Sequence, residues 1–216
     1  MSTALLPRPR ALLFDWDGTL IDNWDAIVSG LNEALVTFGQ PAWTRGEAMD
    51  RISASQRDSF PVLFGDDWQQ ARDIFYAGFE RRHLELLTVL EGAEALLDAV
   101  PPVVTSLVSN KSGRHLRWTS RFHALIGATD AERDKPDPAP VHLALQGTGI
   151  AAGPDVWFIG DSATDLKTAR AAGCTAIMVR HVAANPAPLP PDLSPDLSVA
   201  NLAALQQALV LSLSAS

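Results

Sequence analysis

The chain has 216 residues, 47% hydrophobic and 19% charged, with a mean hydropathy of +0.06; that is ordinary globular composition, enough for one domain or one domain with a modest insertion. A formal charge of −8 and a pI near 5.0 argue against the basic face that a nucleic-acid partner needs, and require local positive groups or a metal to hold any anionic ligand. The single cysteine, Cys174, excludes an intrachain disulfide, no apolar run approaches the roughly 20 residues that span a bilayer, and MSTALLPRPR is no signal peptide, so a cytoplasmic protein without membrane partners is expected.

The first predicted element is a short buried strand at Ala11–Phe14, and it runs into the string FDWDG. Helical spacing follows: Trp24, Ile27, Val28, Leu31, Leu35 and Phe38 share one face, and Gly39 with Pro41 stops the run. Thr44 and Glu47 stand at capping-box spacing. A longer helical pattern carrying Ala71, Phe75, Phe79 and Leu86 extends from Trp68 to Leu90. The next strand comes nearly ninety residues after the first, far more than a crossover needs. Residues 22–90 therefore read as an inserted helical cap domain, and residues 1–21 with 91–216 as the core.

Beyond the insertion, strands at Val103–Ser109, Ala124–Ile126, Val156–Ile159 and Thr175–Val179 alternate with helical patterns at Gly113–Arg121, Pro138–Gln146 and Ala163–Ala172. Such alternation predicts an α/β fold, a three-layer Rossmann-like core whose parallel sheet is covered on both faces. Ligands in such sheets sit beyond the carboxyl ends of the strands, where the strand order switches. Cys174 stands where the last of these strands begins and reads as a buried, inert thiol. The Pro-rich AANPAPLPPDLSPD at 183–196 reads as an extended surface connection, and VANLAALQQALVLSL as a terminal helix.

Four polar loops follow the strands, and each alone has an ordinary structural reading. DWD at 15–17 is an acidic turn; Ser109 in VSN is an N-cap; Lys135 in DKPDP is a solvated lysine; Asp165 in GDSATD belongs to the first turn of a helix, where the dipole favours acids. Together their chemistry is complementary, because all four are expected at equivalent ends of strands. A carboxylate that attacks a phosphate monoester meets like-charge repulsion, about 4 kcal/mol for two unit charges 4 Å apart at an effective dielectric of 20. Positive charge must therefore be concentrated at the phosphate. Asp15 and Asp161 would ligate a magnesium ion, a hard cation that prefers oxygen, and Lys135 would add a fixed charge. Ser109 and backbone amides would hold the transferring oxygens. One carboxylate of the pair at 15 and 17 would be the nucleophile and the other would manage protons.

The strings FDWDGTL, VSNK, DKPDP and FIGDSATD, in this order and spacing, resemble the haloacid dehalogenase superfamily, in its phosphatase branch and closest to the phosphoglycolate phosphatase group. The resemblance implies that Asp15 is the nucleophile and a Mg²⁺ ligand, and that Asp17 is general acid and then base, its backbone carbonyl also meeting the metal. Thr19 would orient Asp17. Gly18, Ser109 and the Asn110 amide would join Asp17, Thr19 and Lys135 around the phosphate. Asp161 would ligate Mg²⁺, and Asp165 would act through a water or by positioning Lys135. In RISASQRDSFPVLFG, only loosely like the group's specificity segment, Arg51, Ser53 and Arg57 are candidates for a substrate carboxylate, against a reading as solvated surface. The expected substrate is a small phosphorylated metabolite, with a phosphorylated two-carbon acid in first place. A sugar phosphomutase uses the same four loops, and a catalytically silent relative serving as a binding protein is the third alternative.

Overall fold

The computed structural model describes residues 6–52, 56–100, 103–111, 121–181 and 189–214, without the side chains of 56–58. Ala11–Phe14 (β1) is an unbroken apolar run with all four residues buried, as a strand covered on both faces requires. Ile21–Asp22 (β2) leads into Trp24–Thr37 (α1), Arg45–Arg51 (α2), Gln56–Phe64 (α3) and Trp68–Leu86 (α4). The chain continues through Thr88–Val89 (β3), Ala93–Ala99 (α5), Val104–Val108 (β4) and Leu125–Ile126 (β5). Then come Ala139–Ala144 (α6), Val156–Gly160 (β6), Ala163–Ala171 (α7), Thr175–Val179 (β7), Leu197–Val199 (β8) and Leu202–Ser214 (α8).

Among the described residues, six strands form one parallel sheet in the order β5-β4-β1-β6-β7-β8. The chain therefore builds outward from β1 on one side through β4 and β5, then crosses to build on the other through β6, β7 and β8. That crossing makes β1 the switch point of a doubly wound α/β sheet. The register aligns the carboxyl ends: Phe14 stands opposite both Leu107 and Ile159, so the residues just past these strands emerge at one rim.

Alternate residues face opposite sides of the sheet. Ala11, Leu13, Phe158, Ala176 and Met178 form one cluster with Val141 and Ala144 of α6 and Leu166 and Ala169 of α7. Leu12, Phe14, Trp157, Ile159 and Ile177, on the other face, are buried as well. Each large side chain so buried contributes about 1.5–3 kcal/mol. Cys174 belongs to the first cluster, and burial pushes its thiol up to about 11, which leaves it protonated and inert.

The chain divides into two compact units, Met1–Ile21 with Val89–Ser216 and Asp22–Thr88. The second unit is helical around its own apolar cluster of Leu31, Leu35, Trp43, Phe60, Phe64, Phe75 and Phe79. Two glycines bring α1 and α4 together: a Cβ on Gly30 would stand 2.6 Å from the Phe75 carbonyl oxygen, and one on Gly78 would stand 2.8 Å from the Glu33 carboxylate. Thr44 and Glu47 form the reciprocal capping box at the start of α2.

Several boundaries differ from expectation. The helix expected to reach Leu90 stops at Leu86, because Leu87 turns extended and the β-branched pair Thr88–Val89 joins β2 in a two-stranded ribbon. The terminal helix begins only at Leu202, where the Asn201 side chain accepts from the Ala204 amide at 2.9 Å. Val199 belongs instead to β8, a sixth strand that the sequence reading lacks. The described end of the Pro-rich stretch is anchored and not merely superficial. Asp196 accepts two hydrogen bonds from Arg170 and one from the Ala176 amide, and Leu189 and Leu193 pack on the core. The helix expected at Gly113–Arg121 lies almost wholly outside the described residues.

Candidate active site

Asp15 is the first residue beyond β1, and its amide donates to the Ile159 carbonyl at 2.8 Å, so the sheet itself fixes where the carboxylate begins. The next residues wrap around one acceptor: the amides of Thr19, Leu20 and Ile21 all donate to the Trp16 carbonyl. Gly18 makes that turn possible at φ +79, and it also leaves room for a neighbour. A Cβ there would stand 2.1 Å from Asp161 Oδ2, a position no side chain tolerates. The turn brings Thr19 back beneath Asp15, and its hydroxyl donates to Asp15 Oδ2 at 3.5 Å. Thr19 was expected to orient Asp17; the tight turn instead aims it at Asp15, four residues upstream.

Lys135 comes from the loop before α6 and inserts its ammonium between two acids, 2.6 Å from Asp15 Oδ1 and 2.7 Å from Asp165 Oδ1. Its backbone is clasped by Asn110, whose side-chain nitrogen donates to the Lys135 carbonyl while its oxygen accepts from the Lys135 amide, both at 2.9 Å. The side-chain amide of Asn110, in the loop expected to cradle phosphate, thus serves to hold the lysine. Asp165 divides its two oxygens: Oδ1 meets Lys135, and Oδ2 accepts from the amide and hydroxyl of Ser162 in the capping box of α7. Gly160 keeps its own surface bare for that carboxylate, since a Cβ would stand 2.3 Å from the Asp165 carboxyl carbon. Asp165 therefore stands in the first turn of α7 and in direct contact with Lys135.

Burial sets the electrostatics. Desolvation pushes the Asp15 carboxyl up to about 7 despite the adjacent Lys135 ammonium, and the nearby Asp165 adds to the rise. Asp161 is raised well above the ordinary range by the same desolvation, followed by repulsion from Asp15 and Asp165. Lys135 moves up, because the pull of its two carboxylates exceeds its own desolvation. These shifts describe surplus negative charge in a confined space. Carboxylate oxygens of Asp15, Asp161 and Asp165 all lie within 4.8 Å of one another. An all-oxygen, anionic donor set of this size fits a hard divalent cation.

Asp17, two residues on, is more open than Asp15, with 37% of its side chain exposed, and its Oδ1 accepts from Lys111 Nζ at 2.8 Å. Lys111 is the residue that sequence reasoning passed over. It stands in the VSNK string beside Ser109 and Asn110, but nothing local indicates that its side chain reaches an acid 94 positions away. Ser109 is buried, and its hydroxyl accepts from the Lys111 amide at 3.1 Å. His181, past the end of β7, brings Nε2 to 3.4 Å from the Thr19 carbonyl. In the helical unit, Arg51 is exposed and lies over the Trp43 ring, 4.6 Å from its centroid. Ser53 and the side chain of Arg57 lie outside what the structure describes.

The chain as a whole is similar to known proteins. The profile of the family described as haloacid dehalogenase-like hydrolase matches residues 12–179. Phosphoglycolate phosphatase of Xanthomonas campestris pv. campestris strain 8004 is 31% identical over 182 residues, which cover 78% of this chain and 82% of that protein. N-acetylmuramic acid 6-phosphate phosphatase of Pseudomonas aeruginosa is 28% identical, with coverage of 81% and 83%. Among solved structures, a hydrolase of the same superfamily from Ehrlichia chaffeensis superposes with a TM-score of 0.63 at 27% identity, covering 96% of this chain and 98% of its own. Another from Geobacter sulfurreducens gives 0.74 at 24% identity, covering 94% and 97%, and bears on the fold. With its doubly wound sheet, the acidic rim at the switch point and these relatives, the chain belongs to the haloacid dehalogenase-like hydrolases, as an enzyme of the phosphoric monoester hydrolase class.

Proposed function

We propose that the protein is a Mg²⁺-dependent cytoplasmic phosphatase that hydrolyses a small phosphorylated metabolite through an aspartyl phosphate on Asp15, with 2-phosphoglycolate as the substrate. The observation that carries this reading is the buried Asp15 carboxylate, gripped by Lys135 and Thr19, with a second and more open acid two residues on. A nucleophile must be fixed and partly neutralised; a proton carrier must reach both the leaving group and water. Asp15 and Asp17 divide along that line.

In the first step a carboxylate oxygen of Asp15 attacks phosphorus as the ester P–O bond breaks, and Asp17 passes its proton to the departing alkoxide. In the second, Asp17 takes a proton from water, whose oxygen displaces Asp15 from phosphorus and releases phosphate. Lys135 offsets the charge that gathers as Asp15 meets the phosphate, while Ser109 and the Asn110 amide hold its oxygens beside the Gly18–Thr19 turn. Asp165 keeps Lys135 aimed. Asp15, Asp161 and the Asp17 carbonyl would hold Mg²⁺, which would supply further positive charge against the phosphate. Arg51 and Arg57 are the candidates for the acid end of the substrate.

A second reading has a specific motive, since one relative is named for N-acetylmuramic acid 6-phosphate. Both names describe a phosphorylated organic acid, one much larger than the other. Phosphate release from 2-phosphoglycolate, N-acetylmuramic acid 6-phosphate and glucose phosphates, each with Mg²⁺, separates the two. The first ester should be turned over with the highest kcat/KM, and Asp15→Asn should abolish turnover of all. Conversion of a sugar phosphate to its isomer without phosphate release would point to the mutase alternative. Full activity in Asp15→Asn would end the covalent mechanism.

A further inference from the structure

Lys135 carries the fixed positive charge of the site, yet it stands in residues 127–138, between β5 and α6 and outside both. Its backbone is placed neither by the sheet ladder nor by helical bonds, and Asn110 takes over that task. The Asn110 side-chain oxygen accepts from the Lys135 amide and its nitrogen donates to the Lys135 carbonyl, both at 2.9 Å. One planar amide thus meets both backbone polar groups of the lysine and fixes their direction as well as their place. Asn110 is itself supported on either side. The Ser109 amide donates to the Ile126 carbonyl, and the Lys111 carbonyl accepts from the Ala128 amide, each at 2.8 Å. Support therefore runs from the ends of β4 and β5 through Asn110 to Lys135.

We propose that the Asn110 side chain is the positioning residue of Lys135: it fixes the root from which the ammonium reaches the reacting phosphoryl group, and leaves contact with the phosphate to the Asn110 backbone amide. At rest the ammonium lies 2.6 Å from Asp15 Oδ1 and 2.7 Å from Asp165 Oδ1. A lysine stem is flexible, so two carboxylates alone can hold its head over a range of backbone positions. When an Asp15 oxygen bonds phosphorus and the ester P–O bond breaks, the charge to be met shifts toward the phosphoryl oxygens. A fixed root lets the ammonium meet it there; a drifting root lets the ammonium settle against Asp165 and fall short. A misplacement on the order of 1 Å costs about 100-fold in rate. Neither Asn110 nor Lys135 gains or loses an atom in the transfer.

The inference rests on the phosphatase reading, and Asn110→Ala tests the two separately. The substitution removes the clasp, keeps the backbone amide and leaves no cavity, because Asn110 is exposed. With Mg²⁺, kcat for 2-phosphoglycolate and for para-nitrophenyl phosphate should fall by about 10- to 100-fold, while KM changes by less than about threefold. Orthovanadate, which mimics five-coordinate phosphorus, should inhibit less well by a comparable factor, and inorganic phosphate nearly as before. Hydrogen exchange at the Lys135 amide should quicken while amides of β1 and β6 keep their protection, which separates loss of the clasp from general loosening. Asn110→Gln, which keeps donor and acceptor on a longer arm, should recover part of kcat and part of the Lys135 amide's protection together, and it decides the matter if the alanine variant fails to fold. An unchanged kcat, a loss carried by KM alone, or a loss of kcat with Lys135 exchange unaltered would overturn the positioning role. Failure of the phosphatase reading looks different, because the wild-type enzyme would then release phosphate from neither ester.

Discussion

The two units of the chain use charge in opposite ways. In the α/β unit Asp15, Lys135 and Asp165 are 6%, 7% and 1% exposed and bind one another in the interior. In the helical unit the described interior is mainly apolar, with Asn23 and His83 as its buried polar side chains, and carboxylates lie outside: Arg81 with Glu33 and Arg72 with Asp73 pair at the surface, where such bridges contribute little. The α/β unit therefore accepts an unfavourable arrangement for the sake of its chemistry, whereas the helical unit is held by packing. Stability should accordingly respond to protons and cations in the first and to side-chain volume in the second.

The largest test removes the cation between the buried acids. Lys135→Met should destabilise the metal-free protein by about 3–5 kcal/mol at pH 8, the usual cost of leaving a buried charge without its partner. Urea denaturation measures it. At pH 5 the loss should shrink, because Asp15 takes up a proton and needs the ammonium less. An equal loss at both pH values would mean that Lys135 acts through packing, and the contrast between the units would fail.

The wild-type protein offers a related test without mutation. Asp15 is raised to about 7 in the folded state from 3.8, and Asp161 moves the same way. Between those values the native state binds more protons than the unfolded one, so the contribution is full below about 4 and is lost as pH rises through 7. Metal-free protein should lose a few kcal/mol between pH 5 and pH 8, on the order implied by a shift of this size. Mg²⁺ should restore more at pH 8 than at pH 5, since it competes with those protons. Stability that rises with pH in chelator would contradict the assigned desolvation.

Packing governs the next effect. Gly30→Ala places a methyl group 2.6 Å from the Phe75 carbonyl oxygen and 3.0 Å from the Phe79 amide, where α1 meets α4. Alanine is the better helix former by about 1 kcal/mol, so a gain in stability is what helix propensity alone expects. Overpacking should win and give a net loss of about 1–3 kcal/mol. The loss should be the same at pH 5 and pH 8, in contrast with Lys135→Met.

The same contrast explains what was legible in the sequence. β1 and β7 fall at Ala11–Phe14 and Thr175–Val179 as read, because a strand buried on both faces must be a continuous apolar run. β8 has three residues, one of them a serine, after a Pro-rich stretch, and its pairing with β7 supplies what its composition does not announce. The acidic loops were legible because their residue types are odd choices after a buried strand. Their wiring was not. That Asn110 grips the Lys135 backbone, that Thr19 turns to Asp15 and that Lys111 reaches Asp17 are consequences of strand order and of one tight turn at Gly18. Residue type marks a site, but topology decides which side chains meet.

The smallest effect carries the opposite sign. Glu47 accepts from the Thr44 amide at 2.8 Å and from its hydroxyl at 2.9 Å, and these hydrogen bonds hold its carboxyl below the ordinary 4.5. A depressed carboxylate stabilises above its ordinary pKa and loses that contribution as pH falls through the lowered value. Thr44→Ala should thus cost less than Gly30→Ala, should cost it at neutral pH, and should cost progressively less as the solution is acidified toward pH 3. Acid therefore relieves the buried carboxylates of one unit while it weakens a helix start in the other. Thermal melts of Thr44→Ala at pH 7 and pH 3.5 read the difference, and a loss that grows on acidification would show that the capping box draws nothing from the ionised Glu47.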